Sequence, residues 1–156
     1  MDFGANVWLD LTGEELEPGV RGKRLERPGG ATLAAALWEL DPGASSGEYH
    51  FHHGSEEMVI VLRGRPSLRT PEGERELAEG ETVHFARGPE GAHCLVNRSD
   101  AAARYVMLAA HPTPEVIEYP DSGTFCVMAR TESQAGGQLF SVHRLADAVD
   151  EDPDGR

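Results

Sequence analysis

The chain has 156 residues, of which 39% are hydrophobic and 26% are charged, and its formal net charge is −13 at pH 7. This length and composition predict one globular domain with a substantial core. Such an acidic chain lacks the basic face that nucleic acids and anionic membranes require, so we expect neither as a partner. No apolar run approaches the length that spans a bilayer.

Short β-type runs recur along the chain, each followed by a turn rich in Gly, Pro, Asn, Asp or Ser. This pattern predicts an all-β sandwich or barrel. The predicted strands are 7–11, 31–40, 48–53, 57–63, 66–70, 74–78, 82–86, 93–97, 103–110 and 124–129. Alanine and leucine in 31–40 favour a helix, but the surrounding pattern favours a strand. Any helix is expected only within 141–149.

The same pattern divides the chain into four parts. Residues 1–30 are expected to hold an N-terminal strand and a connection, with 12–30 on the surface because they mix both charge signs with Pro and Gly. Residues 31–112 form the predicted barrel core. Residues 113–145 are expected to add a C-terminal strand and an extension that packs on the barrel. Residues 146–156 are rich in acids and are expected to be a flexible tail.

The two cysteines and the first residues bear on the compartment. The start, MDFGANVWLD, lacks the basic and apolar regions of a secretory signal. Cys94 and Cys126 are too few for a disulfide framework, so we expect a reducing cytoplasm. Both thiols are expected to be small buried groups.

Residues 47–64, GEYHFHHGSEEMVIVLRG, carry the most distinctive chemistry. His50 and His52 are two residues apart, which on a strand places both imidazoles on one face, roughly 6.5–7 Å apart along the chain. A four-residue turn then lets Glu57 return to the same point. These residue types suit a divalent transition metal. The alternative is a solvated hairpin end rich in histidine. His53 and Glu56 are expected to be non-ligands.

Two stretches of this sequence resemble the paired motifs of the cupin superfamily, over about residues 31–110. The pattern H-x-H-x4-E-x6-G is filled by His50, His52, Glu57 and Gly64, and the second motif by Gly80, Gly88 and His93-x3-Asn97. The sequence departs from the family pattern in three places. The glycine before the first histidine is displaced, Ala86 stands where proline is usual, and two extra residues in GPEGAH lengthen the spacing to His93.

The resemblance implies a double-stranded β-helix, a jelly-roll barrel made of two antiparallel sheets. It also implies one divalent metal, held inside the barrel by His50, His52, Glu57 and His93. Fe(II), Mn(II), Ni(II), Co(II) and Zn(II) all suit such ligands. A homodimer is expected as well, with 7–11 and 124–129 as candidate elements at the interface.

Alternation from Glu57 and His93 predicts which side chains face the metal. Val59, Val61, Leu95 and Asn97 are the expected pocket wall, with His84 as a further candidate. Trp38 and Met107 are expected to pack in the core.

The predicted function is that of a mononuclear metalloenzyme acting on a small organic molecule. Dioxygenase-like chemistry ranks ahead of isomerase or decarboxylase chemistry. The alternative is a metal-containing module that binds or senses a small ligand without turnover, since one barrel hosts many functions.

Overall fold

The computed structural model describes residues 6–8, 14–25, 33–110, 114–130 and 138–148. These ranges are almost entirely β-structure. The strands are β1 (Glu14–Glu17), β2 (Val20–Arg24), β3 (Leu33–Leu40), β4 (Phe51–His52), β5 (Glu57–Arg63), β6 (Ser67–Thr70), β7 (Gly73–Glu76), β8 (Thr82–Phe85), β9 (Cys94–Val96), β10 (Ala103–Ala110), β11 (Glu115–Tyr119), β12 (Thr124–Arg130) and β13 (Gln138–Arg144). A 3-10 helix spans Pro89–Gly91, and one short helix, α1, spans Leu145–Ala148.

The strands form antiparallel sheets in two layers. One layer is a six-stranded sheet in the order β1-β2-β3-β10-β5-β8. The other consists of a four-stranded sheet, β13-β12-β11-β4, and a three-stranded sheet, β7-β6-β9. A single antiparallel bridge between His50 and His93 joins these two smaller sheets. The predicted all-β jelly-roll barrel is confirmed.

Strict alternation along the strands builds the core between the layers. In β5, Val59 and Val61 are buried while Met58, on the opposite face, is 37% exposed. The core cluster consists of Val20, Leu40, Val59, Val61, Leu68, Leu77, Phe85, Leu95 and Tyr105. Every strand of the six-stranded sheet except β1 contributes to it or packs against it.

An ion-pair ladder covers the outer face of the six-stranded sheet. Glu39 accepts hydrogen bonds from Arg21 Nη2 at 2.8 Å and from Arg104 Nη2 at 2.5 Å, and Asp41 pairs with Arg21 at 2.6 Å. Burial alone would raise the pKa of Glu39, but the hydrogen bonds from the two guanidinium groups lower it. The ladder therefore keeps three neighbouring strands, β2, β3 and β10, in register on their outer side.

The structure corrects the prediction that 12–30 is a surface connection. Residues 14–24 form a β-hairpin, β1 and β2, with Gly19 at a φ of 76° in the turn. The charges misled the prediction because both faces of β1 are exposed. Val20 nevertheless enters the core and is 4% exposed. The hairpin thus extends the sheet that carries the barrel wall.

Three other predicted elements differ from the structure. In 48–53 only Phe51–His52 is regular strand, with His50 in the bridge. By contrast, the α-helix of the described residues, Leu145–Ala148, lies within 141–149 as expected, directly after β13 ends at Arg144. Strand β12 is paired on both sides, by β11 and β13, so 124–129 has no free edge for a partner. Of 7–11, residues 7 and 8 form a turn and the rest lies outside the described residues.

Helical structure is scarce in the described ranges. None of it has the length and apolar character of a membrane-spanning segment.

Gly64, the last residue of the first motif, is required for a tight approach between strands. Its φ is 79°, a conformation that favours glycine. A Cβ at this position would lie 2.7 Å from the carbonyl oxygen of Ala102. The glycine therefore lets the turn after β5 contact the start of β10.

The expected homodimer can be tested at β13, an edge strand of the four-stranded sheet. Phe140 and Val142 are 60% and 57% exposed there. We expect the wild type to have the mass of a dimer by size exclusion with light scattering. Phe140→Lys should shift the mass to a monomer, because a lysine on an edge strand opposes strand pairing. Met58→Lys, on another exposed face, is the control. A monomeric wild type, or a dimer unchanged by Phe140→Lys, would contradict this interface.

Candidate metal centre

His50 and His93 are brought together by the backbone. The His50 amide donates to the His93 carbonyl at 3.1 Å, and the His93 amide donates to the His50 carbonyl at 2.8 Å. Residues that exchange both hydrogen bonds lie directly opposite each other, with their side chains on one face. The two rings are accordingly 4.7 Å apart between centroids. A pair of histidines far apart in sequence thus becomes one cross-strand pair.

His52 and Glu57 complete the cluster. His52 lies two residues beyond His50 on the same face, with ring centroids 5.2 Å apart. Glu57 opens β5 in the opposite sheet and points inward. Each of three residues offers one ligand atom, and these atoms all lie within 4.8 Å of one another; the residues are His50, His52 and Glu57. Glu57 Oε2 is 3.2 Å from Nε2 of His52 and 3.2 Å from Nε2 of His93.

The donor atoms in this cluster fit a metal cation. His50 Nδ1 lies 2.8 Å from the Glu48 carbonyl, and His93 Nδ1 lies 3.0 Å from the Gly91 carbonyl. A carbonyl oxygen only accepts, so each Nδ1 carries the hydrogen and leaves a lone pair on Nε2. Lone pairs on Nε2 and on a carboxylate repel at such short range unless a proton or a metal ion lies between them. Imidazole and carboxylate together suit first-row divalent metals.

Burial sets the protonation of these groups. Burial and the neighbouring His93 lower the pKa of His50 to about 4, so its ring is neutral near pH 7 and free to bind a metal. Burial alone would raise the pKa of Glu57. Its contacts with His52 and His93 outweigh this effect and hold that pKa well below its ordinary value. Near pH 7 the cluster therefore offers a neutral imidazole at His50 and a negative charge at Glu57.

The extra residues before His93 form the 3-10 helix Pro89–Gly91, which positions the imidazole. The Gly91 carbonyl accepts the hydrogen bond from His93 Nδ1, and Phe85 stacks on the ring at 3.7 Å between centroids. Gly91 itself is pressed against the backbone, since a Cβ there would lie 1.7 Å from the Ala86 carbonyl oxygen. The longer spacing is thus absorbed without moving His93 away from the cluster.

Of the residues not expected to bind the metal, His53 and Glu56 lie on the surface and Cys94 is buried. His53 is half exposed, and its Nε2 is 3.1 Å from Glu118. Glu56 pairs with His84 and Arg87 outside the barrel. Cys94 is buried beside Ser45 Oγ at 3.4 Å, and burial raises the pKa of its thiol. The structure therefore places none of these three against the candidate metal centre.

A cavity of about 210 Å³ lies beside Glu57, on the inner face of the six-stranded sheet. Its described walls are Arg24, Trp38, Met107 and alanines of β3 and β10. The alanines leave the space that larger side chains fill elsewhere in the barrel. Trp38 and Met107, expected to pack in the core, do pack against it and also line this cavity. Arg24 and the alanines were not predicted here, because only the pairing of β2, β3, β10 and β5 places them next to Glu57.

The predicted apolar wall residues lie elsewhere. Val59 and Val61 are 0% and 1% exposed, and Leu95 is 0% exposed. All three pack together in the core cluster and none lines this cavity. Alternation predicted correctly that these side chains face inward. It does not predict how far along the barrel axis each one lies from the metal centre.

The two polar pocket candidates have other partners. Asn97 is fully buried, and its Nδ2 donates to the carbonyls of Leu40 and Ala101, each at 2.8 Å. The Asn97 side chain therefore ties the turn before β10 to the end of β3. His84 is on the outer face of β8 with its side chain 52% exposed, 3.4 Å from Glu56 Oε2. Neither side chain lines the cavity.

The fold agrees with the comparisons to known proteins. Residues 36–109 match the family model of the Cupin_2 cupin domain. The chain belongs to the cupin superfamily. Among curated proteins, none matches this sequence.

Three solved structures illustrate the likeness. A sugar phosphate isomerase from a cupin superfamily, from Silicibacter pomeroyi, is 29% identical with a TM-score of 0.69, over 80% of this chain and 76% of that one. A Cupin 2 conserved barrel domain protein from Salinispora arenicola is 27% identical with a TM-score of 0.52, over 65% and 83%. The polyketide cyclase RemF from Streptomyces resistomycificus is 26% identical with a TM-score of 0.51, over 58% and 64%.

Gly91→Ala tests the role of the 3-10 helix. The added methyl group cannot fit against Ala86, so the helix must move and carry the His93 acceptor with it. We expect a loss of about 3 kcal/mol in the free energy of unfolding and weaker binding of added Co(II). Denaturant unfolding and calorimetric titration measure the two effects. Glu90→Ala, at an exposed neighbour, is the control, and a Gly91→Ala protein that matches it would contradict this account.

Proposed function

We propose that the protein binds one divalent transition metal and isomerises a small hydroxy-carbonyl compound. The ligands are His50, His52, Glu57 and His93. The observation that carries the proposal is the meeting of these three imidazoles and one carboxylate beside a cavity that Glu57 itself lines. Fe(II), Mn(II), Ni(II), Co(II) and Zn(II) are all compatible with this set.

The ligand set favours oxygen-rich anionic molecules. Three neutral imidazoles and one carboxylate leave a net charge of +1 on a divalent ion. When bound, the metal supplies Lewis-acid polarisation of neighbouring hydroxyl and carbonyl oxygens. Glu57, with its low pKa, keeps its negative charge toward the centre over the whole physiological pH range.

The cavity walls contribute binding and exclusion of water. Trp38 and Met107 provide apolar surface, and the alanines of β3 and β10 provide room for a molecule of sugar size. An apolar wall with few polar groups is typical of small-molecule sites. Because Glu57 stands at this cavity, the oxygen-bearing end of a ligand is directed to the centre. The remainder lies along the inner face of the six-stranded sheet.

The comparisons support isomerase chemistry over the oxygenase chemistry ranked first from sequence. The Silicibacter pomeroyi protein is described as a sugar phosphate isomerase and is 29% identical over 80% of this chain. The dioxygenase-like activity and the non-catalytic binding module remain alternatives that the same experiment distinguishes.

The experiment combines metal analysis with an isomerase assay. Protein purified without added metal is compared with His50→Ala/His52→Ala, and each is then loaded with Mn(II), Fe(II), Co(II), Ni(II) or Zn(II). We expect about one equivalent of metal to be lost in the variant, because two of the four ligands are gone. Proton NMR should show interconversion of aldose and ketose phosphates by the loaded wild type alone.

Each other outcome has a definite meaning. Equal metal content in the two proteins would refute the centre. Oxygen uptake with catechols, diketones or aminophenols by the Fe(II) form, without isomerisation, would favour the dioxygenase-like activity. Tight binding of sugar phosphates without any turnover would favour the binding module.

A further inference from the structure

Arg24 and Glu57 stand at opposite sides of the same cavity. Both line it, from β2 and β5 of the six-stranded sheet. Across the sheet Arg24 is opposite Ala36, Ala36 is opposite Met107, and Ala109 is opposite Glu57. Across the sheet, three strand spacings of about 4.8 Å, roughly 14 Å, separate β2 from β5, and Glu57 lies two residues along β5 from the position opposite Met107. The small alanine side chains between Arg24 and Glu57 leave open space above the sheet. The guanidinium and the carboxylate can therefore contact one molecule.

Arg24 has no carboxylate partner among the described residues. In that part of the chain most other arginines are paired with acids, namely Arg21, Arg65, Arg69, Arg75, Arg87, Arg98 and Arg104. A guanidinium at the cavity without an acidic partner in the described part of the chain is notable because the chain carries a net charge of −13. A guanidinium with its donors free is suited to bidentate recognition of an oxyanion.

We propose that Arg24 binds the anionic group of a ligand whose oxygen atoms bind the metal near Glu57. The ligand class is a small hydroxy-carbonyl compound with a terminal phosphate. This inference rests on the proposed function and adds a determinant of substrate charge. Arg24 selects the phosphorylated form of the substrate, and the metal centre selects its oxygen-bearing end.

The test compares a phosphorylated and a neutral probe. Binding of ribose 5-phosphate and of ribose to Mn(II)-loaded protein is measured by calorimetry for the wild type, Arg24→Gln and Arg24→Lys. The matched control is Lys23→Gln, which removes the same charge from the opposite face of β2. Arg24→Gln should weaken ribose 5-phosphate about tenfold or more, as expected for lost charge-assisted hydrogen bonds. It should leave ribose unchanged, with Arg24→Lys intermediate.

The outcomes separate this inference from the proposed function. Equal binding of the two probes by the wild type, no binding of either, or a preference that Arg24→Gln leaves intact would overturn the role of Arg24. Binding of ribose 5-phosphate that needs Arg24 but no metal would retain the role of Arg24 and overturn the metal-dependent function.

A second inference concerns the far side of the His52 ring. The Nδ1 atoms of His50 and His93 each donate to a backbone carbonyl two residues earlier. His52 Nδ1 is buried without a hydrogen-bond partner, and Glu115 Oε1 lies 3.9 Å from it. Glu115 is 4% exposed, and its Oε2 is likewise buried without a partner. Buried polar atoms without a partner are rare in proteins, and here one lies on each of two neighbouring side chains.

The backbone fixes this carboxylate in place. Glu115 Oε1 accepts from the amides of Gly54 at 3.0 Å and Val116 at 3.1 Å. Gly54 belongs to the turn between His52 and Glu57. Glu115 therefore stabilises this turn and lies next to the Nδ1 side of the His52 ring.

We infer that Glu115 is a positioning residue for His52. Its carboxylate accepts the hydrogen of Nδ1 after a small movement of the ring, which leaves Nε2 to the metal. Carboxylates commonly take this role behind a metal-bound imidazole, and their loss weakens metal binding. All three imidazoles then present the same nitrogen to the centre.

The test uses variants of two acids on the same strand. Glu115→Gln removes the charge, Glu115→Asp retains it, and Glu118→Gln is the control beside the non-ligand His53. Co(II) affinity should fall about 10- to 100-fold in Glu115→Gln and be partly restored in Glu115→Asp. Nitrogen NMR of the ring should show a mixture of tautomers at His52 alone. An unchanged His52 tautomer, or equal losses at all three rings, would overturn the inference.

Discussion

The backbone pair between His50 and His93 is the interaction on which the candidate centre depends. It is a single bridge with two hydrogen bonds, and it joins the four-stranded and three-stranded sheets into one layer. Because the two residues are directly opposite, their imidazoles share a face without any further constraint. The same contact that completes the layer therefore creates half of the ligand set.

The opposite layer supplies the charge. Glu57 is held at the start of β5, between β10 and β8, and its position follows from the registry Ala109↔Glu57 and Glu57↔Phe85. Phe85 in turn stacks on His93. The buried carboxylate and the surrounding imidazoles are thus fixed by packing before any ion binds, which is the arrangement expected of a preorganised site. The cost of burying a charge is offset by the cations or protons that it attracts.

Much of this could be predicted from sequence because it is local. Strands β5 and β10 have exactly the predicted bounds, since their alternation and turn residues are contained in short windows. The positions of Arg24 and Glu115 could not be predicted, because each depends on which strands become neighbours. Strand β13 was not among the predicted strands, because Leu139, Phe140 and Val142 do not alternate regularly with polar residues, and all three are exposed. The cavity is lined by alanines of β3 and β10, and alanine favours a helix, so these residues gave no signal of a cavity wall built from strands.

One consequence follows from ligands that come from both layers. An ion held by His50, His52, Glu57 and His93 would act as a removable cross-link between the two sheets. Unlike a disulfide, it would be lost on unfolding, because the four ligands meet only in the folded chain. Binding energy would then add to folding energy by mass action. Metal supply in the cell would set how much of the protein persists in the folded state, as well as how much of it is competent to bind a ligand.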